Sequence, residues 1–566
     1  MSTAVAASLA ADPARPPTAR QKRAAQPTRA QWSLIALAPR LPLRFPVPVD
    51  LPPSPKRRYR SAYRPPDPTA LGDPAVWAVK SAFEIALLLI DFSPLEALLA
   101  QHYRPSRKGQ VPFHPVSLFL AVCLRRELVR SWQATALLLA GAHGAGWRSL
   151  LGFADGQTPS ASGLRYFFQA VGAAVFDDLC PRFVALLRHA DLFPTHSTFP
   201  GDPPTRGVSV CQDGMLHDAH DQSHCFFATA TCYQPLPARA VLPLPPVHAP
   251  NAAPPASVSP PSRPCPAREK GHLGCPCDTT ACQEHCGHAS PTDRQARFIH
   301  YAGHNAKRGE KKGPKGKGRD VFGYRSLVER VLDDRFAVAW TVRSSLSPAN
   351  TDERTVFRER VTALTTALPN LTIGEWLDDA GVGYGPCLEA VWELGALRMI
   401  DIRADPSDAN PQACRQRGYD ADGRPLCPHG YRLRANGYDA AHRRAKYVCA
   451  QACRREPLTT DGPIAPVAGC PYLDRNRPLG FIVNVGKTLP DGSLRLAREI
   501  PYGSKTWKAR YGRRNLSESR NSQVEALDLK RLPSSDLARG AKEIQIADFL
   551  INLRTLGRLV QEASAG

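Results

Sequence analysis

The sequence predicts a mixed α/β protein: an all-helical N-terminal domain, then a strand-and-helix core interrupted by two insertions. Three observations predict it. Apolar residues recur at helical spacing in successive runs between residues 75 and 195. From Arg206 the period shortens to that of strands, and strand-like and helix-like stretches follow one another to residue 403. Two stretches, 234–320 and 404–500, are rich in Pro, Gly, Lys or Cys and break that pattern.

The elements follow in order. Residues 1–70 are rich in Pro, Ala and Arg, with a basic knot from Lys56 to Arg60, and are expected to form a disordered basic tail. The helical domain is placed at 75–200. Its runs are Val79 to Leu99, Val116 to Leu139 behind Pro115, and Gly163 to Leu187 behind Thr158-Pro159-Ser160-Ala161-Ser162. Arg165, Arg182 and Arg188 give it basic faces suited to DNA. The first part of the core occupies 201–403. Gly207 to Asp213 reads as a short strand ending in an acid, and Cys225 to Tyr233 as a second. The insertion at 234–320 holds 12 prolines between Pro235 and Pro266, then the patch Cys275-Pro-Cys277-x4-Cys282-x3-Cys286-Gly-His288. It ends in the Gly-spaced basic run 307–319, whose Lys311, Lys312, Lys315 and Lys317 are candidate phosphate contacts. Strand patterning resumes at Val321 to Leu332 and Phe336 to Ser344. Asn350 is expected to cap a helix reaching about Leu368, with Glu353 as its capping-box partner. Leu371 to Leu377 is a strand ending in Asp378-Asp379-Ala380-Gly381. A helix from Pro386 to Leu394 and a strand from Arg398 to Ile402 follow. After the Cys-rich insertion of 404–500, the segment 501–566 is helical again, at Lys505 to Lys530 and Ala541 to Leu559.

Composition limits the function classes. The chain has 566 residues, 73 Lys and Arg against 51 Asp and Glu, and a formal charge of +22, so the expected partner is a polyanion. Its length allows a large core without disulfide staples. The most apolar stretch, Ser81 to Ala100, carries Glu84, Asp91 and Glu96, too many charges for a bilayer core. No secretory signal is visible, so the 16 cysteines are expected to be reduced thiols or metal ligands.

With the insertions removed, acids stand at the expected ends of two strands, Asp213 and the Asp378-Asp379 pair, where open α/β sheets place their sites. Carboxylates converging there suit Mg²⁺ or Mn²⁺, which bind through carboxylates and substrate phosphate oxygens. Two such ions about 3.5–4 Å apart can serve an in-line phosphoryl displacement. Glu518 offers a third acid. Tyr511, Arg514 and Glu525 lie seven before, four before and seven after it, on one helical stripe. Charged stripes are commonly solvated faces. A stripe of phenol, guanidinium and carboxylate also fits a helix edge facing metal and phosphodiester, with Arg514 using its bidentate fork on phosphate. Separately, Cys427, His429, Cys449, Cys453 and Cys470, with Cys414 as a spare, supply enough soft ligands for a structural Zn²⁺.

Taken in order, these pieces resemble bacterial insertion-sequence transposases of the DDE type, whose catalytic core is ribonuclease H-like. That family's helix signature reads Tyr-x2-Arg-x3-Glu-x6-Lys. The chain has Tyr511, Arg514 and Glu518 at the first three positions and Glu525 in place of the Lys, with Lys530 or Arg520 as the substitute. Gln212-Asp213-Gly214 resembles the first-Asp strand, and Asp379-Ala380-Gly381 the Asp-Ala-Gly turn, which favours Asp379 over Asp378. Phe322-Gly323-Tyr324-Arg325 and Pro348-Ala349-Asn350 are lesser resemblances. The likeness runs from about residue 80 to 560. It implies catalysis by Asp213, Asp379 and Glu518. It also implies DNA contacts by Tyr511 and Arg514, cleavage of a phosphodiester at an element's end, and in-line attack of the freed 3′-OH on target DNA. Implied partners are double-stranded DNA at element ends and target, with the protein a homodimer in the bacterial cytoplasm, at the nucleoid. The rival expectations are a non-catalytic, zinc-dependent DNA-binding protein derived from a mobile element, and a metal-dependent nuclease without strand transfer.

Overall fold

A computed structural model describes residues 40–51, 58–67, 77, 79–103, 111–220, 231–232, 263–264, 293, 295–301, 319–401, 425–439, 444–449, 451, 453, 470–472, 479–485, 499–500 and 504–564. The protein is mixed α/β. Lys311, Lys312, Lys315, Lys317, Cys414 and the Cys275–His288 patch lie outside the described residues.

Each long apolar run of the N-terminal block is broken into shorter helices. Ser81 caps α1 (Ala82–Leu89) in a capping box with Glu84. The run then stops, because Ile90–Asp91 pairs in parallel with Leu43–Arg44, and α2 (Leu95–His102) follows. The second run divides into α3 (Pro115–Glu127), with Pro at its first turn, and α4 (Trp132–Ala140), capped by Ser131; Val129 between them has φ 50°. After α5 (Ala145–Leu151), the third run becomes α6 (Ala161–Ala170), α7 (Ala173–Asp177) and α8 (Leu179–His189), with Ser160 capping α6. The expected tail also joins the fold: Leu43 and Phe45 are buried, and the Phe45 ring meets Phe92 at 5.4 Å.

The main sheet contains β1 (Val208–Asp218), β2 (Arg297–Tyr301), β3 (Arg319–Asp333), β4 (Val338–Pro348), β5 (Ile373–Asp378) and β6 (Leu397–Ile400). The order is β6-β5-β1-β3. Beyond it, β4 runs along Tyr324–Asp333 and β2 along Arg319–Gly323, both antiparallel to β3. β1 is antiparallel to β3 and parallel to β5, and β5 is parallel to β6. Parallel neighbours need crossovers. Here α9 (Glu353–Ala367) precedes β5, and α10 (Gly385–Glu393) joins β5 to β6. The cap of α9 differs from expectation: Asp352, not Asn350, accepts the Arg354 N–H, and Glu353 turns instead to Arg325 at 2.6 Å.

The C-terminal segment forms α11 (Lys505–Tyr511), a 3-10 turn (Gly512–Arg514), α12 (Asn515–Ala526) and the long α13 (Leu537–Ser564). α13 is the spine of the molecule. Asn552 clamps both backbone groups of Thr341 on β4, at 2.9 and 2.8 Å. Glu543 binds Arg125 and Arg126 of α3, and Lys542 caps the C-terminal carbonyls of α6, reaching Phe168 O at 3.0 Å and Val171 O at 2.6 Å. Phe549 packs edge-on against Phe45, Phe92 and Phe183. Buried residues of the helical block, of the sheet and of α13 form one apolar cluster, so the helices share a core with the sheet. The second insertion holds a smaller antiparallel sheet, β7 (Arg434–Asp439), β8 (Arg444–Val448) and β9 (Ile482–Val485). Among the described residues no helix is long and apolar enough to cross a membrane.

Candidate active site

Asp213 does not end its strand as expected. β1 runs on to Asp218 because β3 pairs with it as far as Gly323. The parallel partner stops earlier, with Cys211 opposite Leu377, and β5 ends at Asp378. Asp213 therefore lies just past the carboxyl end of β5, where the two parallel strands diverge. Asp379 is the next residue after β5. Its side chain accepts the Gly381 N–H at 2.6 Å, capping the turn Ala380–Val382. That bond explains the Asp-Ala-Gly order: the turn fixes the carboxylate.

The 3-10 turn breaks the expected helical stripe. Tyr511 closes α11, Arg514 ends the turn, and Glu518 sits in the first turn of α12. Convergence survives the break. The Arg514 guanidinium binds Glu518 Oε1 at 2.6 Å and Asp213 Oδ1 at 3.2 Å, and stands 3.8 Å from Asp379 Oδ2. Three acids from distant parts of the chain thus surround one cation. Tyr511 stacks on Trp507, with ring centroids 4.5 Å apart.

Buried arginines hold this edge in place. Arg510 and Arg513 both bind Glu375, a fully buried residue of β5; Arg510 also binds Asp202, and Arg513 binds Asp334 at 2.8 Å. Arg330 of β3 donates to the carbonyls of Leu516 and Ser517 at 3.0 and 3.2 Å, fixing the start of α12. Arg520, one proposed substitute for the missing Lys, is fully buried and pairs with Asp548 through two 2.8 Å bonds, so it is not free to meet DNA. Lys530, the other, is exposed and pairs with Glu525 at 2.6 Å.

The electrostatics follow from burial. Asp213 is 7 % exposed; burial raises its pKa, and Arg514 pulls it back only in part. Asp378 is more deeply buried. Burial, with Asp379 and Glu353 beside it, pushes its carboxyl well above the usual range. It receives the Asp379 N–H at 2.8 Å and the Trp376 indole N–H at 3.4 Å. Burial opposes the charge on Arg514, but Tyr511, Asp213 and other neighbours outweigh it and raise the guanidinium pKa above its ordinary value.

The sequence reading missed two residues. Asn521 donates to Asp213 Oδ2 at 2.9 Å; its position three residues after Glu518, on the same helix face, was the available signal. Glu353 lies against β1, since a Cβ on Gly214 would stand 3.2 Å from Glu353 Oε1. Burial raises its pKa, Arg325 opposes the rise, and Asp379 and Asp213 add to it.

The insertion forms a separate site. Cys427, His429, Cys449, Cys453 and Cys470 line one small pocket with Tyr431, Tyr472 and Phe481. Among the described residues no three His, Cys, Asp or Glu side chains stand in ligand geometry for a metal ion. At the three acids, the Arg514 guanidinium lies between the carboxylates. No family model, curated protein or solved structure matches this chain.

Proposed function

We propose that this protein is a DDE-type transposase that cleaves DNA at the ends of an insertion sequence and transfers the freed strand. One observation carries the reading: Arg514 links Asp213, Asp379 and Glu518 at the edge where β1 and β5 diverge. Antiparallel strands β1, β3 and β4, with β2 added at the edge of β3, followed by the parallel strands β5 and β6 with α9 and α10 between, support a ribonuclease H-like core. The charge of +22 and the exposed Lys505, Lys508 and Lys530 on the same C-terminal segment support a DNA partner.

The donor chemistry fits a hard divalent cation. All three side chains offer carboxylate oxygens and already gather round a positive group, so Asp213, Asp379 and Glu518 would hold Mg²⁺ or Mn²⁺. Such an ion supplies charge stabilisation to a transferring phosphoryl group. The protein's own groups do the rest. Asn521 orients the Asp213 carboxylate, the Ala380–Val382 turn orients Asp379, and the Glu375 anchor holds Arg514 and Glu518 against the sheet. Arg514 presents a planar fork to a phosphate that competes for it with the acids.

The test is cleavage and joining on DNA carrying the element's terminal inverted repeats, with Mg²⁺. Asp213→Asn, Asp379→Asn and Glu518→Gln are each expected to abolish both steps while a gel shift still shows binding; the same gel reads whether the complex is the proposed homodimer. Full activity in any one of the three removes the site assignment. A wild-type chain that binds the repeats and never cuts them supports the non-catalytic alternative.

A further inference from the structure

We propose that the second insertion carries a structural Zn²⁺ held by four thiolates, those of Cys427, Cys449, Cys453 and Cys470, with His429 outside the ligand set. The four residues come from three separate chain segments and line the same small pocket; their side chains do not yet stand in ligand geometry, so the ion would draw them inward. Cys427 precedes the tight turn at Gly430, Cys449 follows the end of β8, and Cys470 precedes Tyr472. All four are free thiols, and all but Cys470 are buried.

The turn after Cys427 has the build of a metal knuckle. Gly430 donates to Cys427 O at 2.8 Å, Cys427 donates to Tyr431 O at 2.8 Å, and Gly430 takes φ 83°, a conformation glycine adopts without strain. This geometry aims the backbone N–H groups of His429 and Tyr431 at the Cys427 sulfur. N–H donors turned on a sulfur suit a thiolate ligand. His429 is exposed, and it is its backbone N–H that faces the sulfur. Cys449 donates its N–H to Phe481 O at 2.7 Å, and a Cβ on Gly480 would lie 3.6 Å from Cys449 Sγ, so the stretch leading into β9 packs against Cys449.

The energetics give the site a purpose. The apolar cluster beneath β7–β9 has Leu433, Ala445 and Tyr447 as its buried members besides Cys427 and Cys449. So small a core does not hold a three-stranded sheet unaided, and a structural metal is one of the few staples that make up the difference. Soft sulfur donors in a set of four select Zn²⁺ over the hard cation suited to the three acids. On binding, four thiol protons pass to solvent as four Zn–S bonds replace Zn–water bonds.

The test uses the full-length chain purified from zinc-replete medium without chelator. Elemental analysis is expected to find one Zn²⁺ per chain, released by a mercurial thiol reagent and read with a colorimetric zinc indicator. Cobalt replacement is expected to give the intense thiolate-to-cobalt absorption of four sulfur ligands. Cys427→Ser, Cys449→Ser, Cys453→Ser and Cys470→Ser each lose the metal, whereas His429→Ala and Cys414→Ser keep it. A metal-free wild-type chain, a cobalt spectrum with fewer than four sulfurs, or loss of zinc in His429→Ala or Cys414→Ser overturns the assignment. The cobalt measurement needs no variant, so a misfolded Cys→Ser chain cannot imitate either result.

Discussion

Glu543→Gln removes the one anion shared by two buried cations. Arg125 and Arg126 stand side by side on α3, each side chain 5 % exposed, and the Glu543 carboxylate meets Arg125 at 2.5 and 2.6 Å and Arg126 Nε at 3.0 Å. The amide keeps the shape and loses the charge. Arg125 retains its place over the Trp132 ring at 4.0 Å, and Arg126 retains Leu527 O at 3.0 Å, but two like charges then face each other out of water. Breaking a buried pair by removing one partner costs about 3–5 kcal/mol. That is a large part of the roughly 5–15 kcal/mol that holds a domain folded. Urea unfolding followed by tryptophan fluorescence reads it as a lowered midpoint at unchanged slope. The pH dependence supplies a second reading. Burial raises the Glu543 pKa, but Arg125 and Arg126 outweigh it and hold the carboxyl below its ordinary value. Its contribution is therefore complete above the unfolded carboxylate pKa and is lost as pH falls through the folded one, so wild type and Glu543→Gln converge in acid. A midpoint that moves by less than about 0.5 kcal/mol at neutral pH, the range of an ordinary surface change, would refute the reasoning. Replacing all three residues by Met or Leu is expected to recover much of the loss.

Three further outcomes are expected. Gly557→Ala places a Cβ 1.9 Å from the Ala82 carbonyl oxygen of α1, a backbone atom that cannot swing aside, and should cost about 1–3 kcal/mol in the same unfolding assay. His217 is buried between Leu529 O and Ser326 Oγ, both at 2.7 Å, and burial lowers its pKa to about 4. The folded state resists its protonation, so stability falls by about 3 kcal/mol as pH drops from about 6.5 to 4; a His217→Gln chain whose unfolding keeps the full slope over that window would assign the effect elsewhere. Asn521→Ala strips one donor from Asp213 and is expected to lower strand cleavage about 10–100-fold with little change in thermal stability, measured on the same preparation.

What the sequence showed and what it hid divide along one physical line. Local patterns survived: the alternation of β3 and β4, the opening of the third helical run at Thr158 to Ser162, and Asp379 before its turn are set within a few residues. Non-local contacts did not. Nothing in Val79 to Leu99 announces that Ile90 will leave a helix to pair with Leu43, forty-seven positions earlier. The length of β1 beyond Asp213 is set by β3 rather than by its own residues. The stripe from Tyr511 to Glu518 assumed one helix; the chain instead tightens at Gly512–Arg514, and the anchor pulling it there is Glu375 on another element. Arg520 looked like a surface cation because its neighbours in sequence are polar; its partner, Asp548, is visible only once α13 is folded onto α12.

The position of α13 in the chain bears on how the molecule comes into being. Elements emerge from the ribosome in order, and α13 is the last of those described. Until it arrives, Thr341 has no clamp, Arg125, Arg126 and Arg520 have no counter-charge, and the ring cluster around Phe549 has a hole at its centre. A chain interrupted before residue 537 therefore already contains Asp213, Asp379 and Glu518 and lacks the piece that makes their surroundings rigid. Truncated products emerge as quality-control substrates with an open core, and the acidic edge matures only when translation has passed α13.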